Sequence, residues 1–157
     1  MNFNKKQYSF EEVYSKLMRY CAYQERSTYE AKNKAFELGL RKNELQKLID
    51  LLQEENFIAD ERFAKAYVSG KVNVKKWGRY KISEGLFAKG ITGETAEEAL
   101  REIDEMVYFK NLSYWVDYKL EREVYTKAEL PKLYRFLQSK GYESEFIAKE
   151  LKGRKLM

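Results

Sequence analysis

Three glycines are separated by the same interval, and this interval constrains the fold more than any other feature of the sequence. Gly39, Gly90 and Gly141 are 51 residues apart, in the segments AFELGL, LFAKGI and LQSKGY. Glycine is favoured just past the end of a helix because it adopts positive φ without a Cβ clash. The interval therefore predicts one structural unit used three times in a chain of 157 residues.

Apolar residues occupy the same positions around each glycine. They stand one, six and ten residues after it, and four and eight residues before it. In the second unit these positions hold Ile82, Leu86, Ile91, Ala96 and Leu100. Separations of four residues correspond to one helical turn, so each glycine is predicted to separate two amphipathic helices.

A further helix precedes this pair in each unit. In the first unit its apolar stripe includes Phe10, Val13, Leu17 and Cys21 at helical spacing. Because Cys21 belongs to the stripe, it is predicted to be a packed core thiol and not a nucleophile. In the second unit Phe63 and Tyr67 are likewise predicted to be core residues.

The predicted fold is all-α, with three tandem three-helix repeats in an elongated, curved array. The predicted repeats are 1–56, 57–105 and 106–157. The predicted helices are 9–23, 27–38, 42–55, 60–74, 79–89, 93–105, 106–123, 130–140 and 143–152.

Two helix starts carry recognisable signals. The segment STYE at Ser27–Glu30 reads as a capping box. Thr126–Glu129 offers a second box, but it would place Pro131 inside a helix at a cost of about 3 kcal/mol. The 51-residue register instead starts this helix near Leu130, with Pro131 in the first turn, where no N–H is missed. We therefore expect the register to prevail.

Composition argues against most catalytic classes. The sequence has no histidine and a single cysteine, and it contains no nucleotide-binding glycine motif and no nucleophile elbow. We therefore expect no enzyme activity, no metal and no cofactor.

The segment MNFNKKQYSF has no apolar core of a secretory signal, and no apolar run approaches the roughly 18 residues that cross a bilayer. A cytoplasmic monomer without a membrane partner is predicted.

Charge is segregated in the middle of the chain, within a net charge of +5. Residues 71–90 contain six cations and one anion, whereas residues 91–105 contain six anions and one cation. Adjacent blocks of opposite sign suit a polyanion or a partner with complementary patches. The tail KGRKLM, residues 152–157, is also basic and is predicted to be frayed.

The segment from Ile58 to Ile91 is the most distinctive. It contains Asp60-Glu61 followed by Arg62-Phe63-Ala64, then Tyr67, a basic stretch from Lys71 to Lys76, Gly78 with Ile82, and Lys89-Gly90-Ile91. This pattern resembles the middle repeat of the RecX family of bacterial recombination regulators. Arg79 is followed by Tyr80-Lys81 where the family often has a further arginine, and Gly85 stands where it usually has a helix former.

The resemblance implies a protein that lies in the groove of the RecA–DNA filament and restrains the ATPase and strand-exchange activities of the RecA recombinase. Its partners would be that filament and single-stranded or double-stranded DNA, bound directly or within the filament. The candidate binding residues are Arg62, Lys71, Lys75, Lys76, Trp77, Arg79, Lys81 and Lys89.

Other readings remain open. Arg62 suits either partner contact or an ion pair within its own helix, and Trp77 suits either base stacking or a hydrophobic staple. The chain as a whole could also be a general helical DNA-binding protein that acts through the basic middle repeat. A third alternative is an adaptor for an unrelated protein, in which the charges serve only solubility.

Overall fold

Nine α-helices make up most of residues 7–157, the part of the chain that the computed structural model describes. The start of MNFNKKQYSF, for which no secretory signal is predicted, lies outside this range. The helices are α1 (Phe10–Tyr23), α2 (Thr28–Glu37), α3 (Leu45–Glu54), α4 (Asp60–Gly70), α5 (Arg79–Ala88), α6 (Gly93–Arg101), α7 (Glu105–Leu120), α8 (Leu130–Ser139) and α9 (Ser144–Gly153). Short 3-10 turns at Lys42–Glu44 and Lys127–Glu129 precede α3 and α8, and a π-helical turn at Lys71–Lys75 extends α4.

The three glycines end the middle helix of each repeat. Their φ angles are 86° at Gly39, 77° at Gly90 and 100° at Gly141. In each copy the N–H of the following residue donates to the carbonyl five residues earlier, at 3.0, 2.9 and 3.4 Å. This is the bond that closes a Schellman cap. The predicted three-fold reversal is therefore confirmed, and with it the all-α fold of three three-helix repeats.

Both predicted helix starts are confirmed. The Ser27 hydroxyl accepts from the Glu30 N–H, and the Glu30 carboxylate accepts from the Ser27 N–H, each at 3.1 Å. Helix α8 begins at Leu130 with Pro131 in its first turn, and Thr126 makes no side-chain cap bond. The register is thus a better guide here than the local capping motif.

The apolar residues form two separate cores. The first belongs to repeat 1 and includes Val13, Leu17 and Cys21 together with Ile58, which precedes α4. The second is shared by repeats 2 and 3 and extends from Phe63 to Leu151. The core positions predicted for Cys21 and Phe63 are confirmed, and Tyr67 packs half-buried against the second core.

The surface is larger than that of a compact monomer, as expected for stacked repeats. The molecule exposes 10363 Å² of surface, compared with roughly 8300 Å² for a compact monomer of this mass. Within residues 7–157, no helix is both long and apolar enough to span a bilayer. The repeat boundaries at 56/57 and 105/106 stay predictions.

Repeats 2 and 3 each seat their glycine turn on the middle helix of the repeat before them. A Cβ on Gly90 would lie 2.6 Å from Cβ of Tyr29 in α2, and a Cβ on Gly141 would overlap Lys81 in α5. Tyr29 and Lys81 lie near corresponding helix starts in the 51-residue register. The two junctions share this contact, which allows the charged positions around it to be compared through the 51-residue register.

Candidate functional site

The eight predicted binding residues lie along α4, the π-helical turn and α5. Arg62 is on α4, and Lys71 and Lys75 are in the π-helical turn. Lys76 and Trp77 lie in the connection that follows, and the remaining three lie on α5 or at its end. Their interactions separate them into two groups.

Three of the cations join neighbouring repeats through ion pairs. Arg62 Nε lies 2.7 Å from Glu25 Oε1, and Lys89 Nζ lies 3.1 Å from Glu30 Oε2. Both bonds connect repeat 2 to repeat 1. Of the two alternatives for Arg62, the ion pair within its own helix is wrong, because its partner is Glu25 and the Asp60 carboxylate accepts from the Thr28 N–H at 2.8 Å. Contact of Arg62 with a binding partner stays a prediction.

Arg79 belongs to a network that joins repeat 2 to repeat 3. Its guanidinium lies 2.9 Å from Glu143 and 4.0 Å from the centroid of the Tyr108 ring. The Tyr108 hydroxyl donates to the same carboxylate and accepts from the Arg79 N–H. Burial raises the pKa of Tyr108, and so does its hydrogen bond to Glu143. Arg79 is thus a structural contact between repeats.

The other four cations form no ion pair among the described residues, and three of them lie against aromatic rings. Lys71 Nζ and Lys81 Nζ are each 4.6 Å from the centroid of Trp77. Lys76 Nζ is 4.9 Å from the ring of Tyr114 in repeat 3, and Lys75 is exposed to solvent. Aromatic faces attract ammonium groups but carry no net charge. The positive charge of these four lysines is therefore uncompensated.

Trp77 is half-buried and packs against the second core. It directly precedes Gly78, the residue before α5, where a staple residue is expected. Two ammonium groups also lie close to its ring. The structure is thus compatible with the staple reading, and a binding role for Trp77 stays a prediction.

Repeat 3 holds the basic turn in place. The Lys76 backbone has a left-handed φ of 56°, and its carbonyl accepts from Trp115 Nε1 at 2.8 Å and from Tyr142 Oη at 2.7 Å. The buried Asn111 amide donates to the Val72 carbonyl at 2.9 Å. Carbonyls left open where a helix ends need such donors. The turn therefore presents its lysines from a fixed backbone.

Gly85, which stands where the family usually has a helix former, is explained by a contact with Tyr67. A Cβ on Gly85 would overlap the hydroxyl of Tyr67. The ring of Tyr67 stacks on Phe63 with centroids 5.9 Å apart, and Lys71 Nζ lies 5.2 Å from it. Gly85 thus lets this ring lie directly against α5.

Lys140 in repeat 3 resembles the unpaired lysines that lie against aromatic rings, but it is not among the eight predicted binding residues. Its Nζ lies 4.1 Å from the centroid of Trp115, and it forms no ion pair within residues 7–157. Burial lowers its pKa, and the neighbouring Lys81 and Lys119 lower it further. The sequence does hold a signal for it, because Lys140 stands 51 residues after Lys89 and likewise precedes the glycine.

Other features lie apart from the unpaired lysines. The predicted frayed tail is wrong for Arg154, which bonds Asp117 at 2.6 Å and Glu150 at 2.9 Å.

A groove of about 620 Å³ between α8 and α9 is lined mainly by apolar side chains and contains none of the predicted residues. Among residues 7–157, no cluster of carboxylate, thiol or imidazole groups has the composition of a metal site.

Comparison with known proteins gives consistent results. Residues 60–100 match the family model described as RecX, second three-helix domain. Regulatory protein RecX of Clostridioides difficile strain 630 is 31% identical over 113 residues, which cover 69% of this chain and 52% of that protein. Regulatory protein RecX of Prosthecochloris aestuarii is 27% identical over 87% of this chain and 89% of its own length.

A solved structure shares the fold. The crystal structure of RecX from Lactobacillus salivarius superposes with a TM-score of 0.80, at 22% sequence identity, over 94% of this chain and 97% of that one. The chain therefore spans 89% of the Prosthecochloris protein, but only about half the length of the Clostridioides protein.

Proposed function

Because the chain belongs to the RecX family of regulatory proteins, we propose that it binds the filament of the RecA recombinase on DNA and restrains ATP hydrolysis and strand exchange. The chain acts by occupying a surface of the filament and catalyses no reaction itself. This assignment of partner and effect follows from the family pattern in residues 58–91.

One observation supports the proposal most directly. The repeat that matches the family model carries four lysines that form no ion pair with any residue among 7–157, at positions 71, 75, 76 and 81. Other basic side chains on the same repeat have carboxylate partners, as Arg62, Arg79 and Lys89 do. A surface of unpaired cations accelerates encounter with a negatively charged assembly and fixes its register, more than it adds affinity.

In this proposal the paired cations act indirectly. Arg62 and Lys89 hold repeat 1 against repeat 2, and Arg79 holds repeat 3. They set the spacing at which the three repeats meet a partner. Their replacement is thus expected to alter binding through the structure of the array.

The test is a titration of DNA-dependent ATP hydrolysis by RecA with the full chain. The wild-type chain is expected to slow hydrolysis. The double variant Lys75→Glu, Lys76→Glu should need on the order of tenfold more protein for the same effect, since it removes two unpaired cations and adds two anions. Arg79 is left unchanged because its replacement would break the junction.

A matched control has the same change in net charge. Lys42→Glu, Lys47→Glu alters two exposed lysines of repeat 1 and is expected to inhibit as well as the wild type. Circular dichroism should show the same helix content in all three proteins. Undiminished hydrolysis in the presence of severalfold excess of the wild-type chain over filament would refute the proposed function.

A further inference from the structure

The two junctions between repeats share the glycine contact but carry different charges at equivalent positions. At the first junction the Glu30 carboxylate lies 3.1 Å from Lys89 Nζ. The positions 51 residues later are Lys81 and Lys140. The second junction thus has a lysine where the first has the carboxylate, and the ion pair of the first is replaced by two cations.

No internal anion compensates this replacement among the described residues. Neither Lys81 nor Lys140 forms an ion pair there, and Lys119, which also lies near Lys140, shares its charge with Glu123 at 3.6 Å. The backbone brings the two lysines together, because the Gly78 N–H donates to the Lys140 carbonyl at 2.7 Å and the Tyr80 N–H donates to the Gly141 carbonyl at 3.0 Å. Proximity of like charges disfavours the charged form of each group, and an external anion relieves that cost.

Aromatic rings line the same junction. Lys81 lies over Trp77, Lys140 over Trp115, and Lys76 over Tyr114. The rings of Tyr114 and Trp115 are in contact, with centroids 5.1 Å apart, and Tyr114 is 45% exposed. Unpaired cations beside exposed aromatic faces are the combination that binds single strands, since cations hold the phosphates and rings stack with bases.

We propose that Lys76, Lys81 and Lys140 form a phosphate-binding notch across the second junction, and that its ligand is the backbone of a single-stranded nucleic acid. Tyr114, which is 45% exposed and lies beside Lys76, is the aromatic side chain that a base of this strand contacts. A carboxylate at position 81 would close the notch, as Glu30 closes the equivalent place at the first junction.

This equivalence supplies a variant that should remain folded. Lys81→Glu reproduces the Glu30–Lys89 arrangement and is expected to pair with Lys140. Binding of a fluorescein-labelled oligothymidylate to the full chain at low salt, followed by anisotropy, should weaken on the order of tenfold, with a shallower dependence on salt because phosphate contacts are lost. Thermal unfolding should show equal or higher stability.

Two further variants complete the test. Lys140→Gln should also weaken oligothymidylate binding, whereas Lys47→Glu in repeat 1 should leave it within about twofold, since few phosphates approach that surface. Unchanged binding by both Lys81→Glu and Lys140→Gln overturns the notch. An equal loss with Lys47→Glu also overturns it, because net charge alone would then explain the binding.

The choice of ligand is tested separately. A duplex of the same length should bind more weakly than the single strand, because its bases are not available to Tyr114. Tighter binding of the duplex would refute the single-strand assignment. The measurements need no recombinase, so a chain that fails to inhibit RecA but binds oligothymidylate through Lys81 retains the notch and loses only the proposed function.

Discussion

At the residue scale, the glycines of this chain serve different purposes. Gly90 and Gly141 combine positive φ with close packing, whereas Gly78 has an ordinary extended backbone, with φ of −82°. A Cβ on Gly78 would overlap the backbone of Gly141 and the amide nitrogen of Tyr142. Gly78 is therefore required by a contact between two backbones at the second junction.

Gly78→Ala is accordingly expected to destabilise the chain. Backbone cannot move aside as a flexible side chain does, so the free energy of unfolding should fall by about 3 kcal/mol, at the upper end of ordinary overpacking. Urea unfolding followed by circular dichroism measures this loss.

Gly70→Ala is the matched control. Gly70 is the last residue of α4, with φ of −64°, and a Cβ added there would have no atom within 4 Å. Alanine at this position should be neutral or stabilising by up to about 1 kcal/mol, because it restricts the unfolded chain. Equal effects of the two substitutions would contradict the backbone contact.

The glycines also show how far a sequence predicts such contacts. Positive φ at Gly39, Gly90 and Gly141 is predictable, because a helix end is a local event with a local signature. The need for glycine at position 78 is not, since the atoms it faces belong to residues 63 and 64 positions later. The register marks Lys140 as the counterpart of Lys89, but only the structure shows that Lys89 pairs with Glu30, whose counterpart is Lys81.

At the element scale, most helix starts and ends lie within about three residues of those that the repeated apolar pattern predicts. The predicted helix 93–105 is wrong at its end, because α6 ends at Arg101 and Glu105 already belongs to α7. A second exception is the π-helical turn at Lys71–Lys75, where the pattern predicts a continuous helix to residue 74. Hydrophobic spacing identifies a helix but does not distinguish a wider turn at its end. The turn is held by Asn111, Trp115 and Tyr142, all from repeat 3.

A network between helices anchors α5, α7 and the start of α9. Glu143 accepts hydrogen bonds from the Tyr108 hydroxyl and the Arg79 guanidinium. Glu143→Ala leaves both donors without this acceptor in a place where all three groups are largely buried. The free energy of unfolding is expected to fall by about 2–3 kcal/mol, measured by urea unfolding.

The control for this network is an exposed ion pair. Glu94 lies 2.9 Å from Arg101, with both side chains more than 60% exposed. Glu94→Ala should change the free energy of unfolding by less than about 0.5 kcal/mol, because solvent screens the pair. A loss of similar size for Glu143→Ala would mean that the network contributes little to the second junction.

At the scale of the whole molecule, two cores of unequal size meet across a polar junction. Repeat 1 has its own core, whereas repeats 2 and 3 share one. Polar contacts cross the first junction: the Thr28 N–H donates to Asp60, and ion pairs join Arg62 to Glu25 and Lys89 to Glu30. In stacked repeats, stability is approximately a sum of repeat and interface contributions. The first repeat is therefore expected to unfold more independently than the other two.

Hydrogen exchange of variants truncated in each core tests this expectation. Leu17 is fully buried in the first core, so Leu17→Ala should cost about 2–5 kcal/mol and remove protection from the amides of α1–α3. The amides of α7–α9 should keep theirs, because the new cavity lies in a core that those helices do not share. Leu133→Ala, its counterpart in the second core, should instead lower protection in α4–α9. If either substitution lowers protection equally in all nine helices, the chain unfolds as one cooperative unit, and the polar junction couples the repeats as strongly as their shared core does.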